Sequence, residues 1–473
     1  MGAAVSAHPP VFDVVIIGAG VVGCAIAREL SQYTLSVALI EAQNDVGKGT
    51  SKANTAILHT GFDTKPDSLE SRLLRRGYRR LLEYAPSAGI PIERLGAILI
   101  AWDETQAAAL DDLWQNANRN GVIDAEIVSA DEIYRLEPNL GSGAIAGMKI
   151  PGESIICPFT PPLAFATEAV VNGVTLIREF EIAAIERQAP DFYALRSAND
   201  TVCARFIINA AGLHADTIDL MLGHETFHVT PRRGELIVFD KLSRPLVNHV
   251  LLPVPTAVSK GVLVSPTTLG NVLLGPTAQD IEDKHNTNTT ADGIAALLEA
   301  GRRIMPALID YEVTSSYTGL RAATEHRDYQ ITAYPDESYI CVGGIRSTGL
   351  SASMGIAEYV VELLTEQCGL TLSKKPDYQR VRMPNIGEAF ERPYQSTEAI
   401  SRDPAYGQII CFCERVTLGE IRHAMSSPLP PRDLDGLRRR TRAQLGRCQG
   451  FHCSATVKSI LDTTLERSAG EAQ

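Results

Sequence analysis

Val11-Phe-Asp-Val-Val-Ile-Ile-Gly18-Ala-Gly20-Val-Val-Gly23-Cys-Ala-Ile-Ala27 is the stretch that decides the fold. Phe12 to Ile17 is a largely apolar, β-branched run, the mark of a strand buried in a parallel sheet. It opens directly into the three glycines and then into an apolar-periodic stretch ending near Tyr33. In that order Gly18 permits a tight turn, Gly20 admits a pyrophosphate to the backbone, and Gly23 lets the helix sit close to the strand. The helix start offers unpaired N–H groups to the phosphates. A second apolar strand, Ser36 to Ile40, ends in Glu41, a carboxylate placed to hold a ribose hydroxyl and repel a 2′-phosphate. Three glycines alone are weak evidence. Strand, helix, strand and acid in this order predict a dinucleotide site on an α/β domain.

Which dinucleotide is bound must be decided elsewhere in the chain. After Glu41 comes the polar, small-residue loop Gly47-Lys-Gly-Thr50-Ser51-Lys-Ala-Asn54-Thr55, followed by Ala-Ile-Leu-His59-Thr60-Gly61. Such a loop suits a chain wrapping an extended cofactor, and a plain surface loop has the same composition. Asn209-Ala-Ala-Gly212 follows another apolar strand, Arg205 to Ile208. Tyr339-Ile-Cys-Val-Gly343-Gly344-Ile-Arg346-Ser347-Thr348-Gly349 leads into the helix-like Leu350 to Leu364.

A chain of 473 residues predicts two or three domains, and 45% hydrophobic with 21% charged residues places it among globular proteins. A net charge of −12 argues against nucleic acid as the main partner. No apolar run approaches the roughly 20 residues of a membrane span, so no transmembrane segment is expected. The start, MGAAVSAHPP, lacks the basic and apolar regions of a secretory signal, and a cytoplasmic location is expected. No internal repeat or low-complexity region suggests a scaffold.

Among nine cysteines, Cys24, Cys157, Cys203, Cys341 and Cys368 are scattered, mostly among apolar neighbours, and read as small buried hydrophobes. Cys411, Cys413, Cys448 and Cys453 cluster as C-x-C-x34-C-x4-C. Two close thiolate pairs hold either zinc or an iron–sulfur cluster, and spacing alone does not choose. Arg438-Arg-Arg-Thr-Arg442 and Arg447 precede the second pair. They read as a solvated helix face, as an offset to the charge of a thiolate-ligated cluster, or as a docking patch for an acidic redox partner.

These segments together resemble the D-amino-acid-oxidase superfamily of flavoproteins, and within it the bacterial glycerol-3-phosphate dehydrogenases with a C-terminal ferredoxin-like domain. The likeness rests on GAGVVG at 18–23, GTSKANTAILHTGFD at 49–63, TPRRGE at 230–235, KGVLVSPT at 260–267, YTGLRAA at 317–323 and GGIRSTGLSASMGIA at 343–357. It runs in order over nearly the whole chain after residue 11. The tail, CFCERVTLGEIRHAM and LDGLRRRTRAQLGRCQGFHC, resembles the bacterioferritin-associated-ferredoxin type of [2Fe–2S] domain, with all four cysteines present.

The resemblance implies FAD and a Rossmann-like FAD-binding domain built from pieces near 12–85, 150–225 and 310–366. An α+β substrate domain, mostly antiparallel, would be interleaved from about 86–149 and 226–309. A linker, 367–406, and a small helical [2Fe–2S] domain, 407–465, would follow. Expected FAD contacts are Gly18, Gly20, Gly23, Glu41, Thr50, Ser51, Thr55, Gly212, Gly344, Gly349 and Leu350; the expected metal ligands are Cys411, Cys413, Cys448 and Cys453. Arg321 is the expected anion ligand, Arg346 and Lys260 are second and third choices, and a structural or solvated cation is the alternative reading of each. His59 is the candidate base, a structural flavin contact or a covalent flavin attachment site, while His214 and His326 read as structural. The implied reaction is oxidation of glycerol 3-phosphate, with electrons leaving through the cluster to a redox protein or a quinone-linked subunit. The alternatives are an L-2-hydroxyglutarate, amino-acid or opine dehydrogenase on the same scaffold, or an electron-transfer protein without a dedicated substrate.

Overall fold

The computed structural model describes residues 11–189, 192–255 and 261–471. Val11–Ile17 forms the centre of an eight-stranded sheet, with Thr201–Asn209 on one side and Val37–Glu41 on the other. Both pairings are parallel, bringing Ile17 level with Asn209 and Ile40. Thr175–Arg178 extends the parallel array beyond Val37–Glu41, and Tyr339–Gly343 pairs in parallel with the end of Thr201–Asn209. Antiparallel strands Phe192–Arg196 and Gln330–Tyr334 complete its edges with Ala184–Ala189. Strands from three distant parts of the chain therefore build one doubly covered sheet.

A nine-stranded sheet is built from the intervening chain, and Thr230–Phe239 and Val313–Ala323 pair along its longest ladder. Leu263–Pro266 and Val272–Gly275 are strands of this sheet. Val313–Ala323 departs from the expected division, which gave 310–366 to the FAD-binding pieces. The resemblance implied that grouping; ten cross-strand pairs join this strand to Thr230–Phe239.

Helices Val21–Leu30, Leu69–Ala88 and Gly349–Glu366 cover one face of the first sheet. Gly77 and Gly355 lie at the crossing of the last two. A Cβ on Gly77 would stand 2.8 Å from Ala352 Cα, and one on Gly355 would stand 2.7 Å from the Gly77 nitrogen. A mid-helix glycine costs about 1 kcal/mol relative to alanine, a loss offset here by backbone contact.

Residues 374–388 run as a strap over this domain. Tyr378 donates to buried Glu168 at 2.8 Å, Gln379 N–H donates to Asn172 at 2.9 Å, and Met383 N–H to the Ala88 carbonyl at 2.8 Å. The C-terminal unit pairs Ile409–Cys411 with Val416–Thr417 and packs helices Leu418–Met425, Leu434–Thr441 and Ser454–Glu471 around Ile421, Leu437, Val457 and Leu461. Among the described residues no helix is long and apolar enough to cross a membrane.

Replacing Gly77 with valine is expected to destabilise the protein by about 2–3 kcal/mol, because backbone atoms on the facing helix cannot yield. Thermal unfolding checks it; an unchanged midpoint would contradict the close crossing.

Candidate functional site

The glycine turn has the shape its spacing predicts. Gly18 adopts φ +95°, and a Cβ there would lie 2.6 Å from the Ala210 carbonyl oxygen. A Cβ on Gly23 would collide with the Gly18 carbonyl, so the helix starts directly against the strand end. Ser51 Oγ accepts the Val21 N–H at 2.9 Å and lies 3.3 Å from where a Gly20 Cβ would be. Glu41 accepts the N–H groups of Ala19 and Gln43 at 2.8 and 2.9 Å; burial pushes its carboxyl up against those hydrogen bonds. Gly212 and Gly344 take φ +59° and +65°, Thr55 is half-buried, and Gly349 and Leu350 begin the helix Gly349–Glu366. A bare backbone cradle at a helix start with an acid at the next strand end fits a dinucleotide such as FAD.

The loop after Glu41 lies on the second sheet. Thr50 Oγ1 donates to the Leu320 carbonyl at 2.9 Å and Tyr317 donates to the Asn54 carbonyl at 2.7 Å. Gly319 faces the same loop, since a Cβ there would collide with the Ala53 carbonyl. Alternation along the strand puts Arg321 on this face with Tyr317 and Gly319. Its guanidinium crosses Gly234, with Nη2 3.0 Å from where a Cβ would stand.

Arg321 has no hydrogen-bonding or ion-pair partner among the described residues. Desolvation by burial lowers its pKa, and Arg232, directly opposite, lowers it further. Arg232 itself is neutralised by a two-point pair with Asp280 at 2.6 and 2.8 Å. Arg346 is also engaged, with Glu70 at 3.1 Å and the Arg327 carbonyl. Lys260 lies outside the described residues. The structure thus separates the candidate cations: one paired at a helix start, one left open beside the loop.

His59 is held from two sides. Its backbone N–H donates to Ser351 Oγ at 2.9 Å, and its Nδ1 meets Glu153 Oε2 at 3.1 Å. Glu153 is fully buried, and its other oxygen accepts from Thr60 N–H and Oγ1 at 2.7 and 2.8 Å. The contact sets an acid beside Nδ1, close enough to stabilise a protonated ring. Sequence reasoning missed Glu153, which lies 94 residues from His59 in a Gly-Glu-Ser stretch without a motif. His214 packs against His285, and exposed His326 meets the Thr226 carbonyl.

In the C-terminal unit Cys411 and Cys453 are buried and in hydrogen-bond contact, as are half-buried Cys413 and Cys448. Backbone N–H groups of His452, Gly450 and Phe451 point at the Cys448 sulfur. Among the described residues no three His, Cys, Asp or Glu side chains are arranged around a single metal ion. Two thiol pairs suit a binuclear cluster better than mononuclear zinc, and amide donors to sulfur suit a thiolate-ligated one. Of the scattered cysteines, Cys24, Cys157, Cys203 and Cys341 are buried and Cys368 is half-buried.

Most of the arginine run is buried in ion pairs with acids of this same chain. Arg439 and Arg440 converge on fully buried Asp45, which receives their N–H groups at 2.6, 2.7 and 2.9 Å. Arg442, also fully buried, holds Glu414 at 2.5 Å and Glu388 at 2.8 Å. Arg447 takes Asp240 at 2.6 Å. These cations join the cysteine unit to both sheets.

The model of the FAD dependent oxidoreductase family matches residues 13–363, and that of the BFD-like [2Fe-2S] binding domain matches residues 409–463. A glycerol 3-phosphate dehydrogenase of Caloramator mitchellensis is 38% identical over 95% of this chain and 94% of its own. One chain of the anaerobic glycerol-3-phosphate dehydrogenase of Escherichia coli is 24% identical over 95% of this chain and 88% of its own. The dithionite-reduced L-alpha-glycerophosphate oxidase of Mycoplasma pneumoniae, with FAD bound, superimposes with a TM-score of 0.75 at 32% identity. It covers 80% of this chain and 100% of its own.

Burial alone would raise the Asp45 carboxyl, yet Arg440 and Arg439 hold it below the usual range. Burial also opposes Asp433, which Lys48, the Gly436 N–H and Asn44 pull down to about 2. A depressed carboxylate stabilises the folded contact above its unfolded value and loses that contribution as pH falls through the folded one. Docking of the cysteine unit is therefore expected to hold from pH 8 to 5 and loosen between about pH 4 and 2. Small-angle scattering against pH checks this; expansion already at pH 5–6 would contradict it.

Proposed function

The chain belongs to the FAD dependent oxidoreductase family and carries a BFD-like [2Fe-2S] binding domain, and from that premise we propose that it oxidises sn-glycerol 3-phosphate to dihydroxyacetone phosphate. The observation that carries this reading is Arg321: a partly desolvated guanidinium, with no acid beside it among the described residues, facing the loop that follows the dinucleotide turn. A half-buried cation of this kind favours an anion, and its planar fork suits two phosphate oxygens. The substrates in the names of the dehydrogenase and oxidase relatives carry such a group.

In this reading Arg321 anchors the phosphate and orients the secondary alcohol. His59 takes the hydroxyl proton, and Glu153 beside its Nδ1 stabilises the imidazolium that forms. Arg346 keeps Glu70 and the 345–349 turn in place rather than binding substrate. FAD supplies the hydride acceptor at N5, and a [2Fe–2S] cluster on Cys411, Cys413, Cys448 and Cys453 supplies a one-electron exit. That exit favours a dehydrogenase over an oxygen-reducing oxidase, the acceptor being a redox protein or a quinone-linked subunit.

The test is anaerobic mixing of the purified protein with glycerol 3-phosphate, L-2-hydroxyglutarate or an amino acid, following the flavin band. Bleaching with the phosphate ester alone at micromolar to millimolar concentration supports the reading. Bleaching only with a carboxylate substrate would overturn it. Arg321→Ala is expected to lower kcat/KM by about 10²–10³, chiefly through KM, as a buried charge-assisted pair is lost. Glu153→Gln is expected to lower the rate of flavin reduction about 10- to 100-fold with little change in KM. Cys453→Ser should abolish iron incorporation while flavin bleaching persists; retained iron would remove Cys453 from the ligand set.

A further inference from the structure

The proposed chemistry leaves the arginine run without a role, yet its placement relative to the dinucleotide loop is specific. Asp45 follows the ribose-facing Glu41 by four residues, and the loop continues to Thr50 and Ser51 beneath the helix start. One short helix, Leu434–Thr441, grips that loop along its length. Arg439 donates to the Val46 carbonyl at 2.6 Å, Asn44 donates to Asp433 at 3.0 Å, Lys48 pairs with Asp433 at 2.6 Å and Lys52 with Asp435 at 3.1 Å. Just beyond the other end of the helix, the backbone at Gly446 presses against the Cβ of Cys413. The same short segment therefore touches the dinucleotide loop with its side chains and the cysteine loop with its following turn.

Most ion pairs across this junction are partly exposed, and such pairs are individually weak. Asp45 differs. It is fully buried, and Arg439, Arg440 and its neighbour's Val46 N–H saturate both of its oxygens. A Cβ on Gly436 would stand 2.7 Å from its Oδ2, so the helix rests directly on the carboxylate. Buried charge pairs tolerate little displacement, because each departure leaves an unpaired charge out of water.

We infer that Asp45, with Arg439 and Arg440, is the positioning contact that sets the separation between the dinucleotide and the cysteine cluster for internal electron transfer. The inference rests on the reading above that electrons taken from the substrate leave through the cysteine unit. Electron transfer falls exponentially with distance, so a contact that holds this helix on the loop controls its rate without touching either centre.

The test uses the full-length holoenzyme with Asp45→Asn, which removes the charge and keeps the shape, and Asp45→Arg, which opposes the two arginines. Anaerobic stopped-flow mixing with glycerol 3-phosphate follows flavin bleaching and cluster reduction separately. Hydrogen exchange is measured in parallel at Leu434–Thr441, with Leu418–Met425 as the internal control. The expected result is flavin bleaching within about twofold of wild type, cluster reduction slowed at least tenfold, and faster exchange confined to Leu434–Thr441. Should Asp45→Arg fail to retain iron, Asp45→Asn decides the outcome. Wild-type cluster reduction and wild-type exchange in Asp45→Asn would overturn the inference while leaving the exit route standing. A wild-type cluster that stays oxidised while its flavin bleaches would instead overturn the exit route, and the inference with it.

Discussion

The arrangement depends on one buried carboxylate. Asp45 sits between the dinucleotide loop and the helix Leu434–Thr441, and two arginines reach it from the same turn of that helix. Burying three charges gains little net stability over an apolar contact, yet breaking such a set costs about 3–5 kcal/mol. A contact of this kind selects one geometry and penalises near misses. The acids that complete it, Asp240, Glu388 and Glu414, come from the second sheet, the strap and the cysteine loop. Three parts of an acidic chain thus converge on its most basic segment.

A contrast in pairing organises the other site. Three arginines are of one chemical type but differ in company. Arg232 has Asp280, Arg346 has Glu70, and Arg321 has no acid among the described residues, with Gly234 beneath it. Gly234 leaves room for the guanidinium to lie flat, and the loop at Ala53 and Asn54 closes over the adjacent Gly319 and Tyr317. Across the loop, Glu153 and Ser351 fix His59 by side chain and backbone. In the proposed reaction, a cation for the anionic group and a base for the alcohol proton are the two requirements that the protein itself would meet.

Much of this was legible in the sequence because it is local. The glycine turn, Glu41 and the two cysteine pairs are short motifs in which spacing dictates geometry, and a resemblance in order along the chain supplied the α/β architecture. What was hidden depends on distant pairing. The sequence does not reveal that Val313–Ala323 leaves its neighbours for the second sheet, because a ladder with Thr230–Phe239 decides this. Arg346 and Arg321 carry the same side chain, and what separates them is the approach of Glu70 and the Arg327 carbonyl to Arg346. The arginine run suggested solvent, a charge offset for a cluster, or a partner; its acids lie up to 395 residues away. Glu153 gave no signal at all, since a single acid becomes a His59 partner only through the fold.

The central claim is that one polypeptide carries electrons from an alcohol to its own iron–sulfur cluster. The most direct measurement is low-temperature electron paramagnetic resonance of the holoenzyme, frozen anaerobically after a single turnover with glycerol 3-phosphate. The account predicts a reduced [2Fe–2S] signal that develops with substrate and is absent when Cys411 and Cys453 are replaced by serine. Bleached flavin with no cluster signal at any time would contradict it.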